Sequence, residues 1–280
     1  MSPGTDLYCV MGNPVEHSRS PAIHARFAEL TGENITYERR LIPLDGFAQG
    51  VHAFMAQGGR GCNVTVPFKT EAPGLATECS ERVQLAGAAN TLSLRADGSI
   101  HADNTDGLGL VADITLNAGV PLAGRDVLLI GAGGAAAGVL GPLLRAGVRH
   151  VTVANRTLAR AQALVQAHGA LASLQKAELL ALVPQALEAD FDVIINATAS
   201  SLAGGEVPVA ARVLRPGSLA YDMMYGPAAQ GFLDWARAHG AVPRDGLGML
   251  VEQAAESFHI WRGVRPPSAQ VLAELQAASS

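Results

Sequence analysis

Charged and aromatic residues are scarce in this 280-residue chain, at 16% and 5%, whereas hydrophobic residues make up 49% of it. This composition excludes a disordered, collagenous or coiled-coil protein and indicates a globular one, long enough for two domains. Basic residues are also few, since 20 of them stand against 25 acidic residues and leave a net charge of −5. The sequence therefore predicts no nucleic-acid partner and no polybasic surface for membrane binding.

Cysteine is rarer still. The three cysteines, Cys9, Cys62 and Cys79, have no spacing typical of a disulfide framework or a zinc site. His17 and His24 have no third ligand at hand, so we interpret them as ordinary loop and helix residues and expect no metal. The N-terminal residues show no secretory signal pattern. These features together favour a reduced, cytoplasmic location.

One uncharged stretch, residues 127–144, is long enough to mimic a membrane span. It contains five glycines and a proline. A buried strand, a tight turn and a helix explain this pattern better, so we expect no membrane segment here.

Apolar runs alternate with helical periodicity along the chain, which predicts an α/β protein with two sheets. In the first series we expect strands at residues 7–11, 36–42 and 62–66, helices at 21–30 and 44–55, and a hairpin at 90–102. In the second we expect strands at 127–130, 151–154, 193–196 and 219–223, each followed by a helix, as in a doubly wound dinucleotide-binding fold. We expect the chain to leave the first domain near Asp106 and to return to it near Gly246. A long helix at 249–261 and a terminal helix from 269 should follow.

The first strand of the second series runs into a glycine-rich turn that fits the G-x-G-x-x-G/A pattern, with Gly131, Gly133, Gly134 and Ala135 in the turn. Glycine there permits the tight turn and the close approach of a pyrophosphate to the backbone. A glycine-rich packing turn is the alternative. The strand-turn-helix context favours a dinucleotide site.

The end of the next strand discriminates between cofactors. An NAD-binding fold carries an acidic residue there for the ribose 2′-hydroxyl, whereas this chain has Asn155, Arg156 and Thr157, followed by Arg160 one helical turn later. Two arginines suit a 2′-phosphate, so we predict NADP(H). Solvated arginines at a helix start are the alternative interpretation.

Lysine is almost absent, because only Lys69 and Lys176 are lysines among the 20 basic residues. Lys69 follows a predicted parallel strand, where open α/β sheets bind their ligands, and lysine can act as an acid or base. Asp106 could pair with it, or it could be a simple helix N-cap. Thr65 and Asn90 could bind substrate hydroxyls or cap strand ends. Lys176 is interpreted as a solvated helix residue.

These residues belong to a set of motifs that resembles the shikimate dehydrogenase family from end to end. The motifs are Gly12-Asn13-Pro14, Ser18-Arg19-Ser20-Pro21, Asn63-Val64-Thr65-Val66-Pro67-Phe68-Lys69, Gly87-Ala88-Ala89-Asn90-Thr91, Asp103-Asn104-Thr105-Asp106-Gly107, Gly131-Ala132-Gly133-Gly134, Asn155-Arg156-Thr157, Asn196-Ala197-Thr198 and Asp245-Gly246-Leu247-Gly248-Met249-Leu250. The resemblance implies an NADPH-dependent oxidoreductase that reduces 3-dehydroshikimate to shikimate in the chorismate pathway of aromatic amino acid biosynthesis. We expect a monomer or homodimer.

The resemblance further implies the fold and the role of each matching residue. The expected fold is an α/β substrate domain of residues 1–105 and 246–280, a Rossmann-like NADP domain of residues 106–245, and a cleft between them. Lys69 and Asp106 would be the catalytic pair. Substrate would contact Ser18, Ser20, Thr65, Asn90, Tyr225 and Gln253, and the nicotinamide would lie near Met223 and Gly246.

Two positions depart from the usual family pattern. Gln230-Gly231 stands where Thr-Pro is usual, and Ala89 where valine is usual. Both lie outside the expected catalytic residues. The alternatives are a quinate or quinate/shikimate dehydrogenase that uses NAD, and a non-catalytic relative that senses the metabolite. Asn155-Arg156 speaks against NAD, and an intact Lys69 and Asp106 speak against a sensor.

Overall fold

A computed structural model describes residues 4–198 and 207–278 of the chain. The chain divides into two compact units, one reaching to Gly109 and resuming at Val251, the other spanning Leu110–Leu250. The two crossings fall inside helices, α4 at Asp106–Ala112 and α8 at Leu247–Arg262. Backbone hydrogen bonds of a π-helical turn extend α4 over Asp113–Asn117.

Within the part of the first unit that the structure describes there are six strands: β1 Asp6–Gly12, β2 Ile35–Leu41, β3 Gly59–Val64, β4 Glu78–Cys79, β5 Thr91–Leu94 and β6 Ile100–Asp103. Its other helices are α1 Ser20–Thr31, α2 Phe47–Ala56, α3 Glu81–Ala86 and α9 Ser268–Ala277. The sheet order is β2-β1-β3-β5-β6-β4, parallel through β3, with β5 antiparallel to both β3 and β6. The predicted hairpin is therefore confirmed as β5 and β6.

Burial explains the parallel part of this sheet. Leu7, Cys9 and Met11 alternate along β1 and share a core with Val51 and Phe54 of α2. The intervening residues of β1 are buried as well. The sequence of a strand that is buried on both faces is a continuous apolar run, which is typical of parallel strands.

The described residues of the second unit form another six strands: β7 Asp126–Ile130, β8 His150–Ala154, β9 Glu178–Leu182, β10 Phe191–Asn196, β11 Leu214–Asp222 and β12 Val242–Arg244. Its helices include α5 Gly134–Arg145, α6 Leu158–Gln175 and α7 Gln230–Ala238. All its strand pairs are parallel, in the order β12-β11-β10-β7-β8-β9. This is the doubly wound order of dinucleotide-binding folds, so the predicted fold class is confirmed.

The sequence prediction missed the two edge strands of this sheet. β9 follows the 18-residue helix α6 and is only partly buried, so its pattern does not stand out from the helix before it. β12 has three residues, one of them Pro243. Lys176 also needs a correction, because it does not lie within a helix: it follows α6 in the left-handed conformation, with a φ of 57°.

Residues 127–144 form β7, the glycine turn and most of α5, as expected. Over the described ranges, 4–198 and 207–278, no helix combines the length and the apolar character that crossing a membrane requires.

Candidate active site

Lys69, Asn90 and Asp106 meet at one edge of the first sheet because of the strand directions. β3 and β6 are both antiparallel to β5, so they run the same way and end at the same edge, where β5 begins. Lys69 lies in a short helical turn just after β3, Asp106 opens α4 after β6, and Asn90 precedes β5. Parallel sheets bind ligands at this edge.

Lys69 and Asp106 form an ion pair, with 2.6 Å between Nζ and Oδ2. The Lys69 side chain is 29% exposed and that of Asp106 is 9% exposed. Asn90 donates from Nδ2 to the other carboxylate oxygen of Asp106 over 2.9 Å, and to Oε1 of Gln253 over 3.1 Å. Four of the predicted site residues therefore form one hydrogen-bonded cluster. It presents an accessible ammonium group that is held by a nearly buried carboxylate.

A second ion pair stabilises the turn that carries Asp106. Arg82 donates from Nε and Nη2 to the two carboxylate oxygens of Asp103, at 3.0 and 2.6 Å. Asn104 accepts from the backbone N–H of Asp106 and donates to the carbonyl of Ala88. These bonds restrict the direction in which the Asp106 side chain leaves the helix.

A buried polar network behind Asn90 was not anticipated from the sequence. Asn63 donates from Nδ2 to the carbonyl of Asn90 and to the hydroxyls of Thr91 and Ser257, and its Oδ1 accepts from Tyr37. The Thr91 hydroxyl donates to Oδ1 of Asn90 over 2.9 Å. The network holds the Asn90 amide in the orientation that faces Asp106. Ser257 follows Gln253 by one helical turn, and that spacing is the signal that could have revealed it.

Ser18 and Ser20 lie at the start of α1, beyond the carboxyl end of β1. The backbone N–H of Ser20 donates to the Ser18 hydroxyl over 3.3 Å, and Ser20 is 6% exposed. Thr65 lies one residue past β3, which ends two residues earlier than predicted. Its methyl carbon packs on Gly12, where any Cβ would come within 2.3 Å of it. Both serines and Thr65 thus follow neighbouring parallel strands.

The glycine turn of the second unit has the geometry of a dinucleotide site. Gly131 has a φ of +110°, a conformation that favours glycine, and a Cβ there would lie 3.1 Å from the carbonyl oxygen of Ala197. Gly133 caps α5, Gly134 begins it, and Ala135 is an exposed residue of its first turn. A Cβ on Gly133 or Gly134 would meet nothing within 4 Å. The helix N-terminus is therefore open to an anionic group.

Asn155 follows β8 directly, and its side chain donates to the carbonyl of Thr157, the N-cap residue of α6. Arg156 and Arg160 are exposed, and within residues 4–198 and 207–278 neither forms an ion pair with a carboxylate. Two unpaired guanidinium groups at this strand end fit a 2′-phosphate better than a neutral hydroxyl.

Met223 and Gly246 lie against each other in the second unit. The backbone N–H of Met223 donates to the carbonyl of Asn196, and a Cβ on Gly246 would come within 2.3 Å of the Met223 carbonyl oxygen. Only glycine fits there. Tyr225 lies between β11 and α7, partly buried.

One of the two histidines near the serines is a buried core residue. His24 lies in α1, fully buried, and its ring stacks on that of Tyr37 with 4.1 Å between the centroids. Burial lowers the pKa of His24 from 6.5 to about 3. In the described part of the chain, no cluster of three or more histidine, cysteine or acidic residues could hold a metal ion.

Three family descriptions match the chain in sequence order. Residues 10–92 match the shikimate dehydrogenase substrate binding domain, residues 113–206 match shikimate / quinate 5-dehydrogenase, and residues 246–276 match the shikimate 5'-dehydrogenase C-terminal domain.

Individual relatives agree over nearly the whole length. The chain is 80% identical to a shikimate dehydrogenase (NADP(+)) of Verminephrobacter eiseniae, over 98% of this chain and 96% of the relative. It is 44% identical to the Ael1 enzyme from Pseudomonas putida, with a TM-score of 0.89 over 97% and 98% of the two chains. A shikimate 5-dehydrogenase from Thermus thermophilus, solved with NADP(H) and shikimate, is 32% identical with a TM-score of 0.84, over 98% and 100%.

Proposed function

Because the chain belongs to the shikimate dehydrogenase family, we propose that Lys69 and Asp106 supply the acid–base catalysis of its reaction. That reaction is the reversible, NADP-dependent reduction of 3-dehydroshikimate to shikimate in aromatic biosynthesis. The single observation that carries the assignment is the 2.6 Å ion pair between the two side chains. It joins a proton donor to a carboxylate at the ligand-binding edge of the sheet.

The proton steps follow from the pair's geometry. NADPH, when bound, supplies the hydride that reduces the carbonyl carbon. The Lys69 ammonium donates a proton to the carbonyl oxygen as it becomes a hydroxyl, and in the oxidative direction the neutral amine takes that proton back. Asp106 accepts the Lys69 hydrogen bond in both directions and restricts the Nζ position. Asn90 holds the second oxygen of Asp106, so the carboxylate cannot rotate away.

The remaining site residues bind the two ligands. Ser18 and Ser20 take the substrate carboxylate, while Thr65, Asn90 and Gln253 take its hydroxyls. Tyr225 also contacts the substrate. Gly131, Gly133, Gly134 and Ala135 would hold the pyrophosphate of NADP(H), and Asn155, Arg156, Thr157 and Arg160 would hold the adenosine end with its 2′-phosphate. Met223 and Gly246 would lie near the nicotinamide.

We assign the two domains according to the ligand that each would bind. Residues 1–105 and 246–280 form the substrate domain, and residues 106–245 form the NADP domain. A cytoplasmic location and a monomeric or homodimeric state remain predictions.

The test measures reduced-nicotinamide absorbance with shikimate or quinate and NADP or NAD, in all four combinations. Reduction of NADP by shikimate is the expected result. Preference for quinate or NAD would assign the chain to a quinate or quinate/shikimate dehydrogenase. No reaction in any combination would support the alternative of a non-catalytic relative that senses the metabolite.

The catalytic pair is tested by Lys69→Met, with Lys176→Met as the matched control. Both changes remove a lysine charge while keeping an unbranched chain, and Lys176 is exposed and remote in sequence from the site motifs. Loss of general acid–base catalysis lowers kcat by about 10²- to 10⁴-fold. Equal rates for the Lys69→Met variant and the control would remove Lys69 from the mechanism.

A further inference from the structure

Arg39 makes a specific contact with the serine segment that the proposed function assigns to the substrate carboxylate. It lies on β2, the edge strand of the first sheet. Its Nε and Nη2 atoms donate to the backbone carbonyl of Ser18 over 3.0 and 2.7 Å. Two bonds from one planar group to one oxygen fix the orientation of that peptide.

The Ser18 residue also makes local bonds. Its N–H donates to the carbonyl of Val15, and its hydroxyl accepts from the N–H of Ser20. These bonds stay within the segment, whereas the contact from Arg39 ties the Ser18 peptide to the sheet. Displacing the Ser18 carbonyl would also displace the hydroxyl that shares its Cα.

The charge of Arg39 is not neutralised by the parts of the chain that the structure describes, since no carboxylate lies within 4 Å of its guanidinium. Its sequence neighbour differs. Arg40 forms an ion pair with Glu38, donates to Gln57 and lies 4.5 Å above the ring of Phe54. Adjacent residues of a strand point to opposite faces, so only one of these two arginines faces α1 and the serines.

We propose that Arg39 is a specificity-determining residue that selects a substrate bearing a carboxylate, an inference that rests on the proposed function. Serine hydroxyls are neutral, so Ser18 and Ser20 alone cannot compensate a carboxylate for the water that it loses on binding. Arg39 supplies the missing positive charge at short range. Through the Ser18 carbonyl, it also positions one of the two hydroxyls that contact the ligand.

The test compares Arg39→Gln with Arg40→Gln, which makes the same chemical change one residue away on the other face. Each variant is assayed with shikimate and with shikimate methyl ester, whose ester group carries no charge. We expect Arg39→Gln to raise the KM for shikimate about 10-fold, equivalent to about 1.4 kcal/mol, with kcat and the KM for NADP unchanged. The KM for the methyl ester should rise less, because only the positioning of the Ser18 hydroxyl is lost. Arg40→Gln should leave both substrate KM values unchanged, although its melting temperature falls.

The dependence of kcat/KM on ionic strength distinguishes the effect of the Arg39 charge from its effect on the position of Ser18. Added salt screens the attraction between Arg39 and the substrate, so wild-type kcat/KM should fall with ionic strength and that of Arg39→Gln should not. Arg39→Lys keeps the charge and should retain the salt dependence, while its point charge cannot make both bonds to the Ser18 carbonyl.

Three results would overturn the inference: an unchanged KM for shikimate in Arg39→Gln, an equal rise in Arg40→Gln, or an equal loss for shikimate and its methyl ester. Calorimetric measurement of shikimate binding to the wild-type protein distinguishes failure of this inference from failure of the proposed function. If the wild-type protein oxidises shikimate and Arg39→Gln does so equally well, only the role of Arg39 is wrong. If the wild-type protein neither binds nor oxidises shikimate, both proposals fall.

Discussion

Arg244 and Asp113 form a bidentate ion pair inside the second unit, with Nε–Oδ2 and Nη2–Oδ1 distances of 2.7 and 2.5 Å. Asp113 has no exposed surface, and the hydroxyl of Tyr221 donates to the same carboxylate over 2.7 Å. Arg244 ends β12, two residues before Gly246, while Asp113 begins the π-helical turn after α4. The pair therefore joins the two chain segments that lie next to the crossings between units.

The first prediction concerns this ion pair. Asp113→Asn leaves the Arg244 charge unpaired in a mostly buried position, so the free energy of unfolding should fall by about 3 kcal/mol. That value is at the lower end for a buried pair because the Arg244 side chain is 21% exposed. Urea unfolding measures the change. Arg149→Gln breaks a pair with Asp126 in which the arginine is 66% exposed, and it is the control, with little change expected. Equal changes in the two variants would contradict the prediction.

The second prediction concerns the catalytic carboxylate. Asp106→Asn preserves the shape of the side chain but removes the charge that holds Lys69, so kcat should fall by about 10²-fold or more. The KM for NADP should not change, because the residues proposed to bind NADP lie in the glycine turn and after β8, remote in sequence from Asp106. Steady-state kinetics provides the measurement. Asp97→Asn, in the exposed turn between β5 and β6, serves as the control and should keep wild-type kcat.

The third prediction concerns cofactor choice. Arg156→Gln removes a guanidinium group that would bind the 2′-phosphate, so the KM for NADP should rise about 10-fold or more, the value of a charge-assisted hydrogen bond. The KM for NAD should not rise, since NAD lacks that phosphate. Arg237→Gln, on the surface of the same unit, is the control. A parallel loss with both cofactors would mean that Arg156 supports the fold rather than the phosphate.

The fourth prediction concerns pH. The pKa of His24 is about 3 in the folded chain, against 6.5 when exposed, because burial disfavours its charged form. Between these values the unfolded chain binds more protons than the folded one, so stability rises with pH across this window and is lost as pH falls below 6.5. From pH 7.5 to 5.0 the contribution of His24 to the loss is about 2 kcal/mol.

His24→Leu removes this titration, so its unfolding free energy should depend on pH less steeply than that of the wild type by the same amount. Urea unfolding of both proteins at the two pH values isolates His24 from other groups, such as His168, whose pKa burial also lowers. Identical pH dependence in the two proteins would show that His24 is solvated or hydrogen-bonded in the folded state.

The four inner strands of the second sheet were predictable, because the sequence of each is a continuous apolar run followed by a turn. β7 and its glycine turn are the clearest case, since the spacing of the glycines is itself the signal. β9 and β12 could not be predicted in this way. They lie at the two edges of the sheet, where half of the pairing partners and part of the burial are missing.

Residue types and local order in the chain made Lys69, Asp106 and Asn90 candidates, but they left capping roles open for Asp106 and Asn90 until the family resemblance was added. Their mutual geometry could not be read in the same way. The 2.6 Å contact between Lys69 and Asp106 depends on the direction of β5 between β3 and β6, and that direction is set by pairing across long sequence separations.

The amino-acid sequence by itself therefore determined the α/β class, the dinucleotide turn and the family, and it predicted the candidate site residues, since all of these depend on local pattern. Only the tertiary structure decided which side chains share hydrogen bonds. Ser257 and Arg39 have ordinary sequence contexts, and each gains its place from a partner elsewhere in the chain. Burial and hydrogen bonding are properties of the packed chain, and packing brings together residues whose separation in sequence carries no signal.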